Sequence, residues 1–474
     1  MKLVFKNLIS NQRHPDPRLQ TYWDGFQIAL LVIPFSSLLG SVAVSLISLI
    51  LLQQRFRSIA QRPVNRGFAI VAGLMVISAL LAYQKADAFL GLANFLPFFL
   101  IFAALSELIQ TPAQLRRIAW IVVVTSVPIV LIGFGQLFWG WSGHVLILGS
   151  VVDWQIDPTG NPPGRMASIF FYANVLASYL GVSFILNLGL GVEAFISGRR
   201  TGNGGQGLGL AGGAEMRHTL YHRGFLTLAV LGNAIALILT DSRNVWAIAL
   251  LACLAFSVYL GWRWILAGVV AIGGVVLGSA FAPSPMREGL RAIVPAFLWI
   301  RLTDQLYPNR PVETLRITQW RFACSLVEQR PWTGWGLRNF SAIYQEQMHL
   351  FIGHPHNLLL MLAAETGLPA TLLFFGLVGW VIVKGSLLLA VWTGGAPKTN
   401  RPDNKDNKAS SLSTAPCHPI PPSLPLSDRL IFFTYLTAFL GSALFNLLDI
   451  TLFDVRINLM GWLLLAGICG IVYD

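Results

Sequence analysis

Histidine and arginine seldom crowd beside long apolar runs, yet one stretch of this chain gathers both. Residues 316–367 read RITQWRFACSLVEQRPWTGWGLRNF, a short polar run, then HPHNLLLMLAAETG. The imidazole of His356 titrates near neutral pH and can take a proton from a sugar hydroxyl. A hydrogen-bonded structural histidine or a metal ligand is the plainer reading of the same residue. His354-x-His356 supplies only two ligands, and no carboxylate is spaced to complete a set, so no metal is expected. Asn357 follows at a helix start, and Glu365 can orient a base or pair with an arginine.

Cations complete the picture. Arg243, in LILTDSRNVWAIA, sits in a turn too tight to leave a membrane interface. It reads either as a snorkelling anchor or as a phosphate ligand, because guanidinium stays charged and donates in a planar fork. Arg316 and Arg321 share one helix and can bring further cations to the same spot, or simply face solvent. Arg165, Asn174 and the carboxylates Asp241 and Asp449 fall on the same side of the chain's alternation. The tryptophans there, Trp320 among them, read mostly as an interface belt. Outer cations and one histidine beside lipid suit an anionic, lipid-anchored substrate with a good leaving group, such as a glycan on a polyprenyl diphosphate. No carboxylate pair of the glycosidase kind is visible.

These residues need a scaffold, and composition says which. The chain has 474 residues, 55% hydrophobic and only 11% charged, where a soluble protein carries roughly a quarter charged. Mean hydropathy is +0.63. Apolar blocks of about 17–27 residues match the length that crosses about 30 Å of hydrocarbon. The expected fold is an all-α polytopic membrane protein with about 12 spans. Residues 26–52 are long for one span and short for two, and a hairpin is favoured. Later spans fall at 67–83, 88–108, 118–139, 166–190, 224–240, 245–261, 264–281, 368–391, 430–448 and 455–472. Basic residues at span ends put both termini in the cytoplasm. The net charge of +12 therefore reads as topology marking, and nucleic acid is not an expected partner.

Three regions follow: a bundle over 1–281 with a cytoplasmic Gly-rich linker at 197–222, an outer loop and surface helix over 282–367, and final spans over 368–474. A Pro- and Lys-containing linker at 392–429 reads as disordered and cytoplasmic. Within the outer loop, 286–302 and 313–329 carry helical patterning. No cleavable signal peptide is expected, and the four scattered cysteines give no disulfide framework.

The residues also carry a resemblance. HPHNLLLMLAAETGLPATLLF resembles the segment of the O-antigen ligase/polymerase superfamily in which His-Asn opens a surface helix ending in Glu-x-Gly. TDSRNVWAI resembles its Thr-x-Ser-Arg-Gly turn, with Asn244 in place of glycine. GRMASIFFYANVLASYL resembles its Arg…Asn-Pro-Asn-x-x-Ala segment, with Tyr172-Ala173 replacing Asn-Pro. RITQWRFACSLVEQRPWTGWGLRNF resembles the loop helix, and NLLDITLFD the final motif.

The resemblance implies a GT-C-like bacterial inner-membrane glycosyltransferase with its active site on the periplasmic face. It implies metal-independent, inverting transfer without a cofactor, from an undecaprenyl-diphosphate-linked glycan to a lipid A core or growing polysaccharide. His356 would be the base or acceptor-positioning residue. Arg243, Arg316, Arg165 and Arg321 would bind diphosphate, supported by Asn357, Glu365, His354, Asn174 and Asp449. Ligase and polymerase are not separated by the sequence. The alternative, from relatives proposed as inorganic-carbon transporters, is a bicarbonate or small-anion carrier, which should place polar residues at the midplane of broken helices.

Overall fold

Apolar runs of this length must satisfy their backbone internally in lipid, and the chain does so as helices. The computed structural model describes residues 13–147, 150–202, 210–303, 311–394 and 424–473. Among these, ten helices are long and apolar enough to cross a membrane, from Ser37–Gln54 to Val455–Tyr473. The 17-residue helix Arg243–Tyr259 is apolar but shorter. The 13-residue helix Gln20–Val32 rises only about 20 Å at 1.5 Å per residue. With these two, every expected span has its helix.

The ambiguous stretch 26–52 resolves into two helices, Gln20–Val32 and Ser37–Gln54. Pro34, which has no N–H, sits in the break, and the Ser36 hydroxyl caps the second helix by accepting from the Leu39 amide at 3.3 Å. The pair is a hairpin, because Asp16, just before it, forms an ion pair with Arg55, just after it.

Side-chain ties define one end of the bundle. His14 Nε2 contacts the Leu108 carbonyl at 2.9 Å, Arg62 pairs with Glu107 at 2.6 Å, and Arg116 bridges Glu193 and Asp428 at 2.8 and 2.9 Å. The Arg62 guanidinium lies 5.6 Å over the Tyr473 ring. The first and last described helices thus begin and end on this face. The residues flanking 203–209 and 395–423 belong here too, since Arg223 donates to the Ala194 carbonyl and Arg429 to the Trp392 carbonyl. The Gly-rich linker is shorter than 197–222, because Ala173–Gly202 and Leu210–Leu239 are helical. Most of the linker expected at 392–429 lies outside the described residues, between helices ending at Thr393 and starting at Leu426.

The histidine-bearing end is built differently. The Trp-, Gly- and Pro-rich stretch 140–165, which reads as a loop between spans, contains an antiparallel pair of strands, Gly143–Ile147 and Ser150–Ile156. The helix expected over 286–302 is two short ones, Met286–Arg291 and Ala296–Leu302, because Pro295 interrupts it. Arg316–Gln329 and Asn339–Met348 follow. They enclose a small core of their own, Phe322, Leu326, Phe340, Ile343 and Tyr344 with Ala364 from the next helix.

The turn between them docks on a break in that next helix. Leu358–Thr393 is non-helical at Gly367, where φ is 80° and ψ 165°, a region essentially reserved for glycine. Leu368 N donates to the Pro331 carbonyl at 2.8 Å, Trp335 N to Ala364 O at 3.0 Å, and Gly336 N to Glu365 O at 2.8 Å. The approach leaves no room for side chains. A Cβ on Gly334 would stand 2.5 Å from the Glu365 backbone, and one on Gly367 2.5 Å from the Trp332 carbonyl. Gly367→Ala should therefore cost at least about 2 kcal/mol. In detergent it is expected to lower the melting temperature and expose 316–348 to protease. An unchanged melt and digest would contradict the docking described here.

Candidate active site at the histidine end

The Asn357 side chain accepts from the Leu360 amide at 3.0 Å and so caps the long helix. That leaves His356 just ahead of the helix, in left-handed backbone conformation with φ 52°. The Trp320 indole N–H donates to the Pro355 carbonyl at 2.9 Å and pins the backbone between the two histidines. The His356 amide in turn donates to His354 Nδ1 at 3.1 Å. Trp320, expected as a belt residue, is a fastener.

A line of hydrogen bonds runs outward from His356. Its Nδ1 meets Asp449 Oδ1 at 2.7 Å, and the other carboxylate oxygen accepts from Asn174 Nδ2 at 2.5 Å. Asn174 Oδ1 accepts from Arg165 at 2.5 Å. Arg165 also donates to the Thr240 carbonyl at 2.8 Å, which ties the line to the TDSRN turn. Five residues from four chain segments thus form one connected set. Burial raises the Asp449 pKa, but the His356 hydrogen bond and the charges of His356, His354 and Arg316 outweigh it and leave the carboxyl below its usual value. Asp449 is thereby held as a carboxylate against Nδ1 of His356, which turns the other ring nitrogen, Nε2, away from this contact.

The cations sort into two groups. Arg316 is half-buried, and its charge bears on both His354 and Asp449. Arg243 opens its helix and donates to the Arg301 carbonyl at 3.2 Å. Arg301 was not foreseen. It is buried, and its Nε faces Asp241 at 3.1 Å as an ion pair without hydrogen-bond alignment. Burial raises the Asp241 pKa, while Arg301, Arg165 and Arg243 pull it back, so three guanidiniums surround one carboxylate. Arg321 stands on the exposed side of its helix and is not tied into this set. Glu365 is not part of the His356 line: its side chain accepts from the Phe340 amide at 3.2 Å and supports the loop.

The expectation that no carboxylate completes a ligand set needs correction. One ligand atom each from His354, His356 and Asp449 lie within 4.8 Å of one another, a group that can hold a metal ion. Asp449 lies 93 positions away in the chain, so spacing could not show it.

Residues 228–375 match the family described as O-antigen ligase. This segment is similar to the O-antigen ligase family. No curated protein matches the chain. The matched segment contains Arg243, Arg316, Arg321, His354, His356, Asn357 and Glu365, whereas Arg165, Asn174 and Asp449 come from outside it. The match supports a function of the O-antigen ligase type generally and suggests a glycosyltransferase-like membrane enzyme.

His354 offers a pH test. Burial, helped by the His356 charge, lowers its pKa from 6.5 to about 4. The unfolded chain takes up this proton first as pH falls, so the stability His354 contributes is complete above pH 6.5 and lost as pH falls towards 4. Protonated Nδ1 also cannot accept from the His356 amide. The melting temperature should fall across this window, and His354→Gln should flatten that fall. A parallel decline in both proteins would remove His354 as its source.

Proposed function

We propose that the chain transfers a glycan from an undecaprenyl-diphosphate-linked donor to an acceptor hydroxyl, with the site on the periplasmic face of the inner membrane. The observation that carries this reading is the His356–Asp449 pair, joined through Asn174 to the arginine side of the site. A base that removes one proton and cations that receive a phosphate leaving group are the two needs of such a transfer.

His356 Nε2 takes the proton of the acceptor hydroxyl as its oxygen forms a bond to the anomeric carbon. The bond from that carbon to the diphosphate oxygen breaks, and the electron pair leaves with the lipid diphosphate. Arg243 and Arg316, with Arg165 and the newly placed Arg301, meet the charge that develops there. Attack opposite the leaving group inverts the anomeric centre. Asp449 stabilises the imidazolium that forms, as a buried carboxylate does beside a catalytic histidine. Asp241 holds the arginines together until a more highly charged phosphate competes for them. Arg321 is at most a peripheral attraction for the donor.

The same reading makes the chemistry metal-independent. In it Nδ1–H of His356 donates to Asp449 across the 2.7 Å contact, and Asp449 serves the imidazole rather than an ion. With the His356 face periplasmic, the end carrying His14 and Tyr473 is cytoplasmic.

The test is made in the native cell, with protein level checked. His356→Ala and Arg243→Ala should accumulate a lipid-diphosphate glycan while the matching surface polymer is lost or shortened. Absent chains would mark a ligase and short ones a polymerase. Asp449→Asn should lower transfer on the order of 10²–10⁴-fold, and EDTA should leave wild-type transfer intact. Unchanged glycans with reduced bicarbonate uptake would instead make the chain a small-anion carrier. Loss of transfer on EDTA treatment, restored by a divalent ion, would turn the His354–His356–Asp449 group into a metal centre.

A further inference from the structure

From His356 the site continues in a second direction, through His354. The two imidazoles lie 4.5 Å apart centre to centre, and His354 stands in the wall of a cavity of about 600 Å³. That size lies within the roughly 300–1,000 Å³ typical of small-molecule sites. The larger cavity along Leu188, Leu226 and Trp264 is mainly apolar, with Arg223 and Arg263 in its wall. This one is walled by the start of helix Lys85–Leu92, by Asn339–Met348 and by residues 351–354.

Four of its polar side chains are free. Gln84, Asp87, Asn94 and Gln345 line it, and none of their side chains makes a hydrogen bond to the described residues, although the Gln84 and Asn94 backbones do. Three amides, each able to donate and accept, and a carboxylate that accepts twice match the alternating donors and acceptors of vicinal hydroxyls. Phe351, 66% exposed, and Phe453, 41% exposed, add apolar faces of the kind that cover sugar C–H groups. Phe453 also stacks on His354 at 5.7 Å. The charge is wrong for a diphosphate: the one arginine in the wall, Arg338, is offset by the Asp87 carboxylate.

We infer that this cavity binds the sugar residues of the acceptor, a hydroxyl-rich glycan end without phosphate at the bound positions, and delivers its hydroxyl to His356. The inference rests on the transferase reading, in which the arginines take the leaving group and leave this cavity for the attacking partner. It assigns acceptor choice to Gln84, Asp87, Asn94 and Gln345. Three of these, Gln84, Asp87 and Asn94, lie at 84–94, outside the matched segment, and Gln345 lies within it, so the acceptor site draws on both parts of the chain.

The experiment uses full-length protein in lipid nanodiscs and, as probe, oligosaccharide released by mild acid from the host's own surface glycan. Binding is followed by saturation-transfer NMR. Wild type and Arg243→Ala should both bind it. Asp87→Asn, which keeps the side-chain shape, and the triple variant Gln84→Ala, Asn94→Ala, Gln345→Ala should weaken binding at least about tenfold, roughly 1.4 kcal/mol, with wild-type melting temperatures. In transfer assays the same variants should raise the acceptor KM more than the donor KM. Wild type that does not bind, or pocket variants that bind as wild type does, overturns the inference. If His356→Ala leaves cellular glycans unchanged while the oligosaccharide binds only the wild-type cavity, the transferase reading fails and the sugar site stands. If lipid-linked glycan accumulates but the oligosaccharide does not bind, only the sugar site falls.

Discussion

Backbone hydrogen bonds between residues 331–336 and 364–368 hold the histidine end together. They are made where Gly367 interrupts a long helix, at carbonyls and amides that a continuous helix would have consumed. The break therefore supplies the bonding groups as well as the shape. Once the turn is seated, Arg316–Gln329 lies where Trp320 reaches Pro355, and Asn339–Met348 closes over Glu365. The position of His356 is a consequence of that docking, two fastenings removed.

The buried relay has a cost that the fold offsets locally. Taking Asp449 to 5% side-chain exposure would be expensive for a lone carboxylate. Both of its oxygens are engaged, by His356 and Asn174, and Arg316 and Arg165 stand near. Asn174 is the neutral member that lets two charged groups share one line without touching. An apolar residue there would remove one bond from Asp449 and one from Arg165.

Much of this was legible in the sequence because periodicity and charge report on the membrane directly. The spans, the break at Gly367 and Pro369 and the cap at Asn357 each have a local signal. Arg243, Arg316 and His356 stood out because such residues are costly near lipid. What escaped reading was pairing across distance. Nothing near Asp449 marks it as the partner of His356, and nothing near Ala296–Leu302 marks Arg301 as the partner of Asp241. Arg321 shows the opposite failure: five positions on from Arg316, it turns to the exposed side. The hairpin at 143–156 was hidden among Gly, Trp and Pro that look like an unstructured loop.

The placement of Asp449 bears on how the protein is made. It lies between helices Leu426–Leu448 and Val455–Tyr473, so it leaves the ribosome well after His356 and Asn174. The imidazole does not have this carboxylate beside it until these two helices have been inserted and packed. A chain stalled or truncated during biogenesis thus carries its arginines and histidines in an unjoined state. Competence at this face waits on the packing of a helix pair made long after the histidine it serves.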